Sequence, residues 1–212
     1  MTPAGEGVLL GRVAAYYSDK VRVHGAAPRG VDWNGTESQT ERFRQLLDLI
    51  GGGACSLNDL GCGYGALLDL IALRETTIDY LGIDVSAEMI EQARLRHSGS
   101  SRVRFMVGSA PDRVADYTVA SGIFNVRLDT PASEWHEYIE ATLDMMNRCS
   151  ARGFAFNCLT SYSDAERMRD YLHYADPCAL FDHCKRRYAR DVALLHDYGL
   201  YEFTILVRKA LP

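Results

Sequence analysis

The sequence lacks a long apolar run, an excess of basic residues and the paired cysteine spacings that are typical of structural zinc sites. A membrane-spanning helix needs about 20 consecutive apolar residues, and no segment of the 212-residue chain approaches that length. Proteins that wrap a polyanion carry a basic stripe, whereas here 23 Lys and Arg accompany 28 Asp and Glu, a formal net charge of −5. We therefore expect neither a membrane protein nor a nucleic-acid-binding protein.

The first residues also lack the features of a secretory signal peptide. The segment MTPAGEGVLLGR has neither a basic start nor a long apolar core. Six cysteines without such a signal are typical of reduced thiols, so a cytoplasmic location is expected. Four residues invite a zinc interpretation: His173, Cys178, His183 and Cys184. Their spacing lacks the short paired intervals of zinc sites, and it favours buried apolar thiols, so no bound metal is expected.

Predicted strands and helices alternate along the chain. Seven short β-rich runs are found at residues 56–60, 78–84, 103–107, 117–121, 153–159, 192–196 and 201–207. Only residues 197–200 separate the last two runs, which suits an antiparallel hairpin and is too short for a parallel crossover. The pattern predicts a doubly wound α/β fold, with a mostly parallel seven-stranded sheet that ends in a C-terminal antiparallel hairpin.

Capping residues predict where several helices begin. The candidates are Thr36 with Gln39, Ser86, Thr130 before Pro131, and Ser163 with Glu166. We expect residues 1–212 to form a single domain, because the sequence has no internal repeat and no linker rich in proline or serine. Within that domain, residues 1–50 are expected to form a helical lid or cap, and residues 51–212 an α/β core that binds the cofactor.

The strongest chemical signal is a glycine cluster at the first strand–helix junction, in the run DLGCGYG from Asp59 to Gly65. Gly61 allows a tight turn, and Gly63 lets the backbone approach a ligand without an intervening side chain. Asp84 ends the second strand, where a carboxylate can accept hydrogen bonds from both ribose hydroxyls. A glycine triplet alone is weak evidence for a nucleotide site. The alternative interpretation is a glycine turn followed by an unrelated Asp at the end of the second strand. Asp59 and Asp84 in this context favour a nucleotide site.

The segments DLGCGYG and YLGIDVSAEMIEQAR resemble the first two motifs of class I methyltransferases that depend on S-adenosyl-L-methionine (SAM). The resemblance covers about residues 55–160, and the terminal hairpin fits the same family. It implies that SAM is the cofactor, with Asp59 near its amino group, Asp84 on the ribose, and Val85 and Met89 beside the adenine. The other cofactor-binding residues expected in these loops are Gly61, Cys62, Gly63, Gly65 and Gly108.

Two further loops follow the third and fourth strands. Ser109 stands where the family often has an acidic residue near the adenine, and its hydroxyl can still form a hydrogen bond. Ser121 and Gly122 are expected at the methionine end of SAM, and Phe124 and Asn125 are expected to face the acceptor, although Phe124 could equally be core. Members that methylate the exocyclic amines of nucleic-acid bases usually carry an Asn/Asp-Pro-Pro-aromatic motif here. Its absence agrees with the excess of acidic residues and argues against base methylation.

Aromatic and polar residues are concentrated in residues 16–34, which show no clean helical or strand period. We expect this segment to fold over the open end of the sheet as a lid. Tyr17 or Trp33 would then shield the sulfonium from water and favour its charge. His24, Arg29 and Trp33 are accordingly candidates for acceptor binding. The alternative is an ordinary arm that Trp33 anchors to the outside.

Methyl transfer from a sulfonium depends mainly on aligning the acceptor atom with the methyl group and on excluding water. An oxygen or protonated nitrogen acceptor also needs a general base. His24 and His196, which ends a C-terminal strand, are the candidates, but a lone histidine is more often structural than catalytic, so no catalytic residue is assigned. Since the chain has no separate substrate domain, we expect a small-molecule acceptor that is methylated on O, N or C; the oligomeric state is not predicted.

Two alternative functions remain open from sequence. The run from Gly61 to Ala66 also fits the loose dinucleotide pattern of an NAD-dependent oxidoreductase. Asp59, the terminal hairpin and the lack of a second mononucleotide half argue against it. The second alternative is a non-catalytic SAM-binding module, which the polar residues of the expected lid do not favour.

Overall fold

A seven-stranded sheet organises the protein in the computed structural model, which describes residues 3–31, 35–74 and 76–210. Its strands are β1 (Cys55–Leu60), β2 (Ile78–Asp84), β3 (Val103–Val107), β4 (Ala115–Ala120), β5 (Ser150–Leu159), β6 (Asp191–Leu195) and β7 (Glu202–Arg208). They lie in the order β3-β2-β1-β4-β5-β7-β6. Strands β1 to β5 pair in parallel, whereas β7 is antiparallel to both β5 and β6. The predicted fold class is confirmed.

Helices cover both faces of the sheet, so its central strands are buried on both sides. On one face, α2 (Thr36–Leu47), α3 (Leu67–Ile71) and α4 (Ala87–Arg96) contribute to one apolar cluster. On the other face, α5 (Ala132–Arg148) and α6 (Pro177–Arg187) contribute to a second cluster. No helix in the described part of the chain is long and apolar enough to cross a membrane.

The first half of the N-terminal helix α1 (Pro3–His24) packs on the same side as α5, and its second half contacts α4. Its Leu9 is buried in the cluster that contains Trp135 of α5. The connection from β3 to β4, residues 108–114, contains no helix, so α1 supplies cover that this crossover does not. A 3-10 helix, Pro28–Val31, follows α1. The expectation that residues 16–24 have no helical period was therefore wrong, and Trp33 lies outside the described residues.

Of the predicted helix caps, the one at α4 is confirmed and those at α2 and α5 are wrong. Ser86 does cap α4, because its hydroxyl accepts a 3.2 Å hydrogen bond from the Met89 amide. The capping box at α2 is wrong: Gly35 occupies the N-cap position without a side-chain bond, and Gln39 is buried and accepts a 3.1 Å bond from the Tyr64 hydroxyl. For α5, Pro131 and not Thr130 occupies the N-cap position.

The helix predicted from Ser163 to about residue 174 is also wrong. Only a 3-10 turn, Ala165–Arg167, forms there, and the Ser163 hydroxyl donates to the Thr160 carbonyl at 2.7 Å instead of capping a helix. The Arg127 guanidinium donates to the backbone carbonyls of Asp170 and Leu172, which holds this stretch as an irregular layer against residues 124–130. Tertiary hydrogen bonds here outweigh the local capping pattern.

Candidate functional site

A cavity of about 300 Å³ opens at the carboxyl ends of β1, β2 and β4, where open α/β sheets bind their ligands. The residues that line it include nearly all of those predicted to bind the cofactor: Tyr17, Asp59, Gly61, Cys62, Gly63, Asp84, Val85, Met89, Gly108, Ser109, Ser121 and Gly122. The fold thus brings the predicted cofactor-binding residues from five separate segments together in one place.

Asp84 links the glycine loop to the start of α4. Its two carboxylate oxygens accept 2.9 Å hydrogen bonds from the amides of Gly63 and Ser86. Burial raises the pKa of Asp84, and the amide bonds oppose that rise. A carboxylate has about four lone-pair sites, so acceptor capacity remains on the side that faces the cavity. The geometry therefore fits a pair of ribose hydroxyls.

The glycine loop needs residues without a side chain at three positions. Gly61, Gly63 and Gly65 have φ of 72°, 53° and 79°, in the left-handed region that other residues rarely adopt. A Cβ at Gly63 would lie 3.2 Å from Cγ1 of Val31, on the wall of the cavity. Gly65 is placed differently: it does not line the cavity, and a Cβ there would meet the His97 ring at 2.9 Å. Gly65 serves packing beneath the loop.

Asp59 is a buried carboxylate in the floor of the cavity, only 3% exposed. The Tyr80 hydroxyl donates a 2.5 Å hydrogen bond to its Oδ2. Burial raises the pKa of Asp59 to about 7, the charge of Asp84 adds to this rise, and the Tyr80 bond opposes it. A cationic group in the cavity would therefore find an acidic partner that titrates near neutral pH.

The helix α1 is joined to the N-terminal end of α4 by a chain of polar contacts. Tyr17 lines the cavity, and the next residue, Ser18, is buried. The Ser18 hydroxyl lies 2.9 Å from that of Ser86 and donates a 2.8 Å hydrogen bond to Glu88. Arg22, one turn later, forms an ion pair with Glu88. These contacts hold α1 over the segment that follows Asp84.

The two histidines considered as bases lie away from the cavity. His24 is exposed at the end of α1, and Arg29 is exposed in the following 3-10 helix. His196 is exposed too, and it packs beside the rings of Tyr162 and Phe203. None of the three lines the cavity. Trp33, also predicted to bind the acceptor, belongs to residues 32–34, outside the described part.

Phe124 and Asn125 are buried and do not line the cavity either. The Phe124 ring packs edge-on against Tyr138 and Phe156, which is a core environment. The Asn125 side chain accepts a 3.0 Å hydrogen bond from the Leu159 amide and so fixes the end of β5. The neighbouring Ile123 reaches the cavity in their place.

Sequence reasoning missed a group of lining residues from the helices. They are Leu10 and Val13 of α1, Gln39 and Phe43 of α2, and Tyr138, Ala141, Thr142, Met145 and Arg148 of α5. In α1, the spacing of Leu10, Val13, Tyr17 and Val21 was the available signal. No histidine is found among the described residues that line the cavity.

No metal cluster is present in the described part of the chain. Cys184 is buried, and burial raises the pKa of its thiol to about 12, whereas Cys178 is exposed. The expectation of a buried thiol therefore fails at Cys178, because the helix α6 turns that position outward.

Comparison with known proteins finds similarity to methyltransferases. A family model described as a methyltransferase domain matches residues 58–153. The provisionally named methyltransferase Rv1506c of Mycobacterium tuberculosis is 67% identical over 155 residues, which cover 73% of this chain and 93% of that protein.

Solved structures with low sequence identity share the fold. The structure of DhpI in complex with SAM and HEP matches 93% of this chain and 96% of the DhpI chain, with a TM-score of 0.66 and 16% identity. The structure of the magnesium protoporphyrin IX methyltransferase of Synechocystis with bound S-adenosylhomocysteine (SAH) matches 97% of this chain and 100% of the methyltransferase chain, with a TM-score of 0.64 and 11% identity.

Proposed function

This chain belongs to the class I SAM-dependent methyltransferases, and from that premise we propose that it transfers the methyl group of SAM to a small-molecule acceptor in the cavity beneath α1. SAM, when bound, supplies a methyl carbon that its sulfonium has already activated. The observation that carries the proposal is the convergence of Asp59, Asp84 and the glycine loop on one cavity.

In the proposed binding mode, the two carboxylates hold opposite parts of the cofactor. Asp84 accepts from the ribose hydroxyls while the Gly63 and Ser86 amides fix its orientation. Asp59 faces the methionine ammonium group. SAM has a net positive charge because its sulfonium and ammonium outweigh one carboxylate, whereas SAH has lost the sulfonium charge. Two acidic side chains in a partly buried cavity therefore favour the substrate form of the cofactor over the product.

We assign the lid function to α1. The contact of Ser18 with Ser86 and Glu88 holds Tyr17 at the cavity wall, close to where the cofactor binds. An aromatic ring at that position excludes water and stabilises a sulfonium by cation–π attraction. The contacts of Ser18 and Arg22 with α4 are made by side chains, so they can break for cofactor exchange without loss of a hydrogen bond in the sheet.

The described part of the cavity offers no histidine as a general base, and His24 and His196 lie outside it. We therefore propose that this protein works mainly by aligning the acceptor and excluding water, which together can supply much of the reduction in barrier. A cavity of about 300 Å³ is at the lower end of the range for small-molecule sites. The six unpaired cysteines are consistent with the reducing cytoplasm that we propose as its location.

The experiment that tests this function is an acceptor screen with SAH formation as the readout. The parent protein should form SAH in the presence of an acceptor and not in its absence, and Asp84→Ala should lower that rate at a limiting SAM concentration. A parent protein that binds SAM tightly yet forms no SAH across a broad panel of small-molecule acceptors would contradict the proposed activity and favour the non-catalytic SAM-binding module.

A further inference from the structure

The cavity extends beyond the residues assigned to the cofactor, into a groove between α1 and α5. Leu10 and Val13 line it from α1, three residues apart and thus on one helical face. On α5, the lining residues Tyr138, Thr142 and Met145 follow at spacings of four and three, which forms a continuous stripe along that helix. Most of these side chains are apolar, so the groove suits a hydrophobic molecule.

The groove has a structural origin in the connection between β3 and β4. Each of the other parallel crossovers carries a helix, but residues 108–114 do not. The helix α1 covers this face from outside, and Gly108, Ser109 and Ala110 of the short connection join the wall. From Tyr138 to Arg148, both of which line the cavity, α5 rises by about 15 Å. The groove is therefore elongated.

Arg148 marks the end of the groove that lies farthest along α5. It is exposed, and no hydrogen bond or ion pair joins it to another residue in the described part of the chain. Asp144, one turn earlier, is already bound by the Arg187 guanidinium and the Tyr188 hydroxyl, and it feels Arg148 only as a weaker attraction. The guanidinium of Arg148 is thus available to an anionic group of a ligand.

We propose that this groove is the acceptor subsite, and that it takes an elongated, mainly apolar molecule with an anionic group bound at Arg148. This inference rests on the proposed methyltransferase function. The atom to be methylated lies at the other end, where Ile123 and Tyr138 meet the glycine loop side of the cavity. The anionic group is consequently a recognition element and is not the group that receives the methyl.

Straight-chain probes test this arrangement. Decanoate, decanol and decylamine share one apolar chain and differ in head-group charge, so their binding to SAH-saturated protein separates the two parts of the groove. Calorimetry should show that decanoate binds more tightly than decanol, and that decylamine binds more weakly than either. The same samples report SAH binding beforehand, which keeps the cofactor site and the groove distinguishable.

Two variants locate the binding. Arg148→Gln should weaken decanoate binding by about two- to fivefold, the range expected for an exposed ion pair, and should leave decanol unchanged. Ala141→Trp places a large side chain from an exposed position into the groove and should weaken all three probes at least tenfold, with SAH affinity kept. The matched controls on α6, Arg186→Gln and Ala179→Trp, lie on exposed positions outside this groove and should change neither.

The inference is overturned if SAH binds and decanoate does not, or if decanoate binds equally well to the parent and to Ala141→Trp. It is also overturned if the enzyme converts decanoate to its methyl ester, because the anionic group would then be the acceptor. Failure of the parent protein to bind SAH would instead contradict the proposed function itself, and the groove assignment would fall with it.

Discussion

The Tyr80 hydroxyl donates a 2.5 Å hydrogen bond to the Asp59 carboxylate, from the adjacent parallel strand into the floor of the cavity. Both side chains are buried. Burial raises the pKa of Asp59 to about 7, although the bond from Tyr80 stabilises the ionised form. The protein thus keeps a carboxylate at the edge of ionisation, at the position where the methionine ammonium of SAM is proposed to lie.

The first prediction concerns the pH dependence of SAM binding. Folding raises the pKa of Asp59 to about 7. Its contribution to the free energy of unfolding is therefore present in full below the pKa of the unfolded chain and is lost as the pH rises through about 7. The SAM ammonium favours the ionised carboxylate, so SAM affinity should increase between pH 5.5 and pH 8. Calorimetry across this range measures the effect, and Tyr80→Phe should move the increase to higher pH.

Asp59→Asn provides the control for this prediction. The variant should lose much of the pH dependence of SAM binding, and in the absence of ligand its melting temperature at pH 8 should exceed that of the parent. An unchanged pH profile in Asp59→Asn would show that another group is responsible, in which case Asp84, whose pKa burial also raises, would be the next group to examine.

The second prediction tests the ribose contact. Asp84→Ala should weaken SAM binding by about 1–3 kcal/mol, because the ribose loses a charged acceptor and the glycine loop loses a fixed partner. Asp79→Ala is a matched control on the same strand, since Asp79 is exposed and pairs with Arg113 outside the cavity. Equal SAM affinity in a folded Asp84→Ala protein would refute the assignment.

The third prediction separates backbone strain from loss of space at the glycine loop. Gly63→Val should lower SAM affinity more than it lowers stability, because its side chain would occupy the wall beside Val31. Gly199→Val is the control: its φ of 73° is similarly positive, but a Cβ there meets nothing within 4 Å. Both variants should show similar thermal destabilisation. Only Gly63→Val should lose SAM binding, and a parallel loss in Gly199→Val would implicate stability alone.

The fourth prediction concerns the lid. Trypsin cleavage after Arg22 or Arg29 should slow when SAM or SAH is added, because ligand binding disfavours the open state in which α1 is accessible. Glu88→Gln weakens the contacts with Ser18 and Arg22 and should speed this cleavage. Glu91→Gln, exposed on the same helix, should not. Cleavage at equal rates with and without saturating ligand would remove the lid assignment.

A deletion variant extends this test. Removing residues 1–34 leaves every strand of the sheet intact, because β1 begins at Cys55. Circular dichroism should therefore report a folded core, while SAM affinity falls and turnover is lost because the sulfonium becomes exposed to water. Full cofactor affinity in the truncated protein would show that α1 does not contribute to the cofactor site.

The core of the fold was accessible from sequence because strong local patterns agree with the tertiary structure. The strands β2 and β3 have the predicted bounds, since each is a β-rich run with clear breakers on either side. The Ser86 cap was also predictable, because a cap depends only on a residue and the amides that follow it. The same locality explains why the glycine loop could be recognised.

The errors arise where distant contacts decide the local structure. Gln39 has the spacing of a capping box, yet it is buried against Tyr64. Arg127 holds residues 170–172 out of a helix. The role of α5 was missed for a related reason: an apolar stripe looks the same whether it faces a core or a groove, and only the missing helix between β3 and β4 leaves the groove open.

The central claim is that SAM binds at the carboxyl ends of β1 and β2 through Asp84 and the glycine loop. Titration calorimetry of the parent protein with SAM, SAH, NAD and NADP, repeated for the pair Gly63→Val and Gly199→Val, tests it most directly. The account predicts saturable binding of SAM and SAH, no binding of NAD or NADP, and loss of SAM binding in Gly63→Val alone. Binding of NAD in preference to SAM, or unaltered SAM affinity in a folded Gly63→Val protein, would contradict it.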